Sequence, residues 1–145
     1  MIRRNLLDLN VLLALADQRH DQHQKARAWF ATSGKNNWSI CPFTEAGFLR
    51  VTTNPTYRPS PHTFESAIAI LQSVKGLSGY WYWEIKESWV NLTSPFAARI
   101  TGHQQVTDAY LLGMAIKEDG VLVTFDRGIK YLAGPQFSRN LIVLE

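Results

Sequence analysis

Cysteine is almost missing from this chain: Cys41 is the one cysteine in 145 residues. A disulfide framework and a Cys-rich zinc site are thereby excluded. Long apolar runs are missing as well, and none approaches the ~20 residues that a membrane helix requires. The start, Met1-Ile2-Arg3-Arg4-Asn5, is basic, but Asp8 and Asn10 break the apolar stretch after it. That pattern speaks against a signal peptide, so the expectation is a cytoplasmic protein with no membrane association. Blocks of like charge, internal repeats and low-complexity tracts are also lacking. Net charge is +3 and the sequence pI is about 9.2, a mild basicity that permits a polyanionic partner without requiring one. What the chain does have is 46% hydrophobic residues, enough to build the core of one domain over 1–145.

Those hydrophobic residues come in short blocks. Residues 6–9, 38–41, 121–124 and 141–144 read as strands. Between them the spacing predicts helices over 11–16, from Asp21 onward with Ala26, Trp29 and Phe30 on one face, from Pro42 through 45–51, and over 63–74. Further helices are predicted over 95–100, 103–118 and 127–132, with a Pro-rich loop over 54–61 and an extended aromatic stretch over 79–85. Alternation of this kind predicts an α/β fold, a parallel sheet with helices on both faces. Right-handed crossovers then bring the carboxyl ends of the strands to one edge.

Four acids fall at that edge. Asp8 ends the first strand, Glu45 lies in the first turns of the helix after the second, Asp108 lies near the start of the long helix, and Asp126 follows the 121–124 strand. Ligands of open α/β sheets bind in the crevice beyond the strand carboxyl ends. Each acid alone has a structural reading: Asp8 as a helix N-cap, Asp108 as a first-turn acid, Glu45 as a capping acid, Asp126 as a turn residue. As a set they sit among apolar neighbours, and gathered carboxylates repel one another unless a cation is present. Mg²⁺ or Mn²⁺ suits such oxygen ligands and activates water for in-line attack at phosphorus. Asn10 and Thr124 are placed to add neutral oxygens or to hold the carboxylates. The reaction this implies is hydrolysis of a phosphodiester.

The stretches "LLDLNVLLAL", "CPFTEAGFLRVTTNP" and "QVTDAYLLGMAIKEDGVLVTFDRGI" resemble PIN-domain ribonuclease toxins of the VapC type, in order and over nearly the whole chain. The resemblance implies a parallel sheet of about five strands and an endoribonuclease that depends on Mg²⁺ or Mn²⁺. By motif match Asp8, Glu45, Asp108 and Asp126 fall on the four family acids, catalytic and metal-binding, with Asn10 and Thr124 on the auxiliary polar positions. It also implies RNA as substrate, tRNA or rRNA, a cognate VapB-type antitoxin, and a homodimer. The "HDQH" of residues 20–23 looks like the family's second helix, and its histidines read as surface polar groups.

Arg50, Arg99, Arg127 and Lys130 are candidates to hold RNA phosphates. The segment "GYWYWEIKESW" is the weakest match, and its aromatics at 80–83 serve the core, an interface or base stacking. A receiver domain needs paired acids after its first strand, and a haloacid-dehalogenase-type phosphatase needs Asp-x-Asp; this chain has Asp8-Leu9-Asn10. The second reading is a catalytically weak PIN module that binds RNA or a protein partner.

Overall fold

The computed structural model describes residues 3–57 and 60–145. Met1 and Ile2 of the basic start, and Arg58 and Pro59 of the 54–61 loop, lie outside the described residues. Four strands, β1 (Asn5–Leu7), β2 (Trp38–Ser39), β3 (Val121–Thr124) and β4 (Leu141–Val143), form one sheet in the order β2-β1-β3-β4. Every pairing in it is parallel. The helices are α1 (Leu9–Ala16), α2 (His23–Thr32), α3 (Pro42–Thr52), α4 (Phe64–Lys75), α5 (Trp89–Thr93), α6 (Val106–Lys117) and α7 (Ile129–Ala133). No described helix is long and apolar enough to cross a membrane.

Side chains alternate across a strand, so a buried sheet needs apolar residues in succession. Leu6 and Leu122 face one core with α5, α6 and α7. Leu7, Val121 and Val123 face the other with α1, α3 and α4. Both layers are therefore built from the uninterrupted blocks "NLL" and "VLVT". Several helix starts follow from local chemistry. Thr63 caps α4 by accepting the Ser66 N–H at 3.1 Å, Pro42 occupies the first turn of α3, and Ser88 caps α5 by accepting the Asn91 N–H at 3.2 Å.

The sheet has four strands where about five were expected. The stretch over 79–85 joins it through a single bridge, Tyr80 to Trp38, made by Trp38 N–H to the Gly79 carbonyl at 3.0 Å and Trp81 N–H to the Trp38 carbonyl at 3.1 Å. Beyond the bridge Trp81 and Trp83 stack on each other, centroids 4.9 Å apart, and leave the ladder. Smaller differences follow from caps. Asp21 does not cap α2, whose N-cap Gln22 makes no side-chain bond. The segment at 95–100 is a 3₁₀ turn, Ser94–Arg99, and α5 before it was not anticipated. His23 is buried rather than superficial, its Nδ1 lying 2.6 Å from the Ala14 carbonyl oxygen.

Candidate metal centre

Asp8 leaves β1 and opens α1 in the same step. One carboxylate oxygen accepts the Leu9 N–H at 2.7 Å and caps the helix; the other accepts the Thr124 hydroxyl at 2.7 Å. The N-cap reading of this residue is thus met by one oxygen, while the other is held at the end of β3. Thr124, fully buried at the end of β3, is the hub. Its Oγ1 also accepts from Asn10 Nδ2 at 3.3 Å and from the Asp126 N–H at 3.0 Å, while Asn10 Oδ1 accepts the Phe125 N–H at 3.2 Å. Two adjacent parallel strands, β1 and β3, end side by side, and this network ties their ends together.

Asp108 comes from the first turn of α6, where the helix dipole favours a carboxylate. Among the described residues no donor and no cation reaches it. Burial, then the charge of Asp8, then that of Asp126, push its pKa up to about 7. Asp8 is also raised, by burial first and with a contribution from Asp126, against the lowering hydrogen bonds of Thr124 and Leu9. The same field therefore links Asp8, Asp108 and Asp126. Asp126 is the exposed member, and its Oδ1 accepts the Gly128 N–H at 2.8 Å to close the turn into α7.

Asp8 and Asp108 line a cleft of about 260 Å³ between α1, α3 and α6, together with Phe43, Gly47, Arg50 and Thr107. Phe43, Gly47 and Arg50 follow i, i+4, i+7 and so form one stripe of α3. Gly47 brings α3 close to α1, and a Cβ there would displace the Leu9 side-chain methyl that lies 2.9 Å from its position.

Glu45 is not brought to the other three. It turns toward α4, where its carboxylate is ion-paired with the Lys75 ammonium, and it does not line the cleft. Asp8, Asp108 and Asp126 act on one another's ionisation, whereas a cation at the end of α4 satisfies Glu45 locally. Among the cations, Arg50 lines the cleft. Arg99 donates to the carbonyls of Leu132 and Ala133 at 3.2 Å each, and Arg127 and Lys130 lie 3.7 and 3.6 Å from Glu145. Sequence reasoning missed Lys75 and the exposed Trp89 beside Phe43. Neither carries a motif; both are visible only once helices are packed.

Among the described residues, no three acidic or histidine side chains stand close enough to cage an ion unaided. Mg²⁺ fits that arrangement better than Zn²⁺ or Ca²⁺, because it keeps several waters and uses one or two carboxylates. Asp8 and Asp108 are hard oxygen donors with no salt-bridge partner among the described residues, which suits such an ion.

A family model for the PIN domain matches residues 6–135. Ribonuclease VapC44 of Mycobacterium tuberculosis is 40% identical over 132 residues, 91% of this chain and 92% of the relative. Ribonuclease VapC38 of the same species is 41% identical over 128 residues, 88% and 89% of the two chains. A solved structure described as VapBC2 from Rickettsia felis bound to a DNA fragment from their promoter superposes with a TM-score of 0.62, covering 97% of this chain and 98% of that one. At 15% identity that last likeness is one of fold.

Proposed function

The chain belongs to the PIN-domain family, and from that premise we propose that it is a divalent-metal-dependent endoribonuclease, the toxin of a type II toxin–antitoxin pair, with one PIN domain over 1–145. The observation that carries this reading is the trio Asp8, Asp108 and Asp126, whose charges act on one another, with no ion pair to any of the three among the described residues. Asp8 and Asp108 would hold Mg²⁺ or Mn²⁺ directly, with Asp126 at its open side. When bound, the ion supplies a Lewis acid and an activated water. The chain's own part is orientation. Thr124 and the Leu9 N–H fix both oxygens of Asp8, Asn10 fixes Thr124, and Arg50 binds a phosphate of the RNA in the cleft. Glu45, the fourth acid of the motif, is held by Lys75 and would have to leave that pair to serve the ion.

The substrate is tRNA or rRNA, the inhibitor a VapB-type antitoxin, the assembly a homodimer and the compartment the cytoplasm. Arg99, Arg127 and Lys130 have local partners, so their role toward RNA is secondary to that of Arg50. The Glu45–Lys75 pair favours a second reading, a module that binds RNA or a partner without cutting it.

The test is cleavage of total bacterial RNA in Mg²⁺ or Mn²⁺. We expect discrete cuts that EDTA and Asp8→Asn abolish. Tight RNA binding without cutting in either metal would transfer the assignment to the second reading.

A further inference from the structure

One side of the cleft is cationic and the other aromatic. On the α3 stripe, Arg50 stands at one end and Phe43 at the other, with the bare Gly47 between them. Phe43 is in turn one corner of an aromatic triad. Its ring packs edge-on against Trp89 at 5.1 Å and against Tyr110 at 5.1 Å, and Trp89 lies 4.3 Å from Tyr110. Tyr110 is fully buried, whereas Trp89 leaves 40% of its surface in solvent. Val106, one turn before Tyr110 on α6 and two residues before Asp108, is 44% exposed. An indole beside the cleft that Phe43 and Tyr110 cover only in part is an apolar surface with a π-system partly open to solvent.

We propose that Trp89, supported by Phe43, is a base-stacking subsite for the nucleotide next to the scissile phosphate of the RNA. The inference rests on the nuclease reading above. A base is tied to its phosphate by a single ribose, so a phosphate held between Arg50 and the acids delivers a neighbouring base to the Phe43 side. Phe43 belongs both to the cleft wall and to the Trp89 contact, which makes the aromatic surface continuous with the site rather than a separate patch. Stacking accepts any base, so Trp89 contributes affinity and register, and sequence choice is left to contacts farther out.

The decisive comparison is Trp89→Leu against Trp89→Phe. Leucine keeps the packing on Tyr110 and removes the π-face; phenylalanine keeps the π-face. The probe is an RNA oligonucleotide spanning a cut mapped in total bacterial RNA. Trp89→Leu should raise KM by roughly five- to 150-fold, the range expected for one stacked base, with kcat changed much less. Trp89→Phe should recover most of the loss. Removing the base beside the cut should cost the wild type as much as Trp89→Leu costs, and should cost that variant little more. Unchanged KM in Trp89→Leu, or losses that add, would overturn the subsite while leaving the nuclease reading in place. A shift of oligomeric state in sedimentation velocity that tracks the KM change would overturn it in favour of a contact between two copies. Failure of the wild type to cut any RNA would overturn the nuclease reading and the subsite with it.

Discussion

Asp108 keeps its proton to higher pH in the folded chain than in the unfolded one, with a folded pKa of about 7 against 3.8. The folded state therefore binds more protons between those values, and stability of the metal-free protein falls as pH rises through that window. Asp8, raised in the same direction, adds to the slope. Solvent reaches the half-buried Asp108 and screens the charges acting on it, so the loss attributable to it between pH 5 and pH 8 is about 1–2 kcal/mol. Urea unfolding at pH 5 and pH 8 should show this loss, and Asp108→Asn should flatten the difference and be the more stable protein at pH 8. Thr124 carries the opposite expectation. Thr124→Val strips Asp8 of its donor and leaves the Asp126 N–H and Asn10 without their acceptor. It should destabilise the fold by about 1–3 kcal/mol, with Thr124→Ser close to wild type in the same unfolding assay.

The elements obey their sequences where the signal is local. Period gave α3, α4, α6 and β3 nearly as predicted, because "VLV" is apolar without interruption and Ala67 and Leu71 recur at helical spacing in α4. The fifth strand was the error, and its cause is tertiary. Gly79 has φ +85°, and a Cβ there would collide with the Lys35 carbonyl oxygen, so the chain enters the sheet edge through a turn that one residue type permits. After that turn the Trp81–Trp83 stack outcompetes ladder pairing. Gly79→Ala should cost about 2 kcal/mol or more, from positive φ and the close approach together, and should loosen the Tyr80 bridge as read by amide hydrogen exchange at Trp38 and Trp81. The short α5 escaped notice because five residues show too little periodicity; Ser88 three positions before Asn91 was its only mark.

For the molecule as a whole, the site is legible in sequence because the topology is simple. Parallel strands point their carboxyl ends one way, so acids at the ends of β1 and β3 and in the first turn of α6 fall on one edge. Glu45 was misplaced because nothing near it in sequence announces Lys75, thirty residues on at the far end of α4. The molecule is mildly basic overall, yet its cleft is acidic with one arginine. RNA binding should thus depend moderately on salt. Arg50→Gln should lower the slope of log K against log salt by about 0.7, one phosphate contact on a single strand, in filter binding with the Asp8→Asn background to prevent cutting. The most direct test of the account is calorimetric titration of the metal-free protein with Mn²⁺ at pH 8 and pH 5.5. The account predicts saturable binding at pH 8 that weakens at pH 5.5, as protons compete for Asp108 and Asp8, and that drops at least tenfold in Asp108→Asn. Mn²⁺ bound equally well by Asp108→Asn, or not bound by the wild type at pH 8, would contradict it.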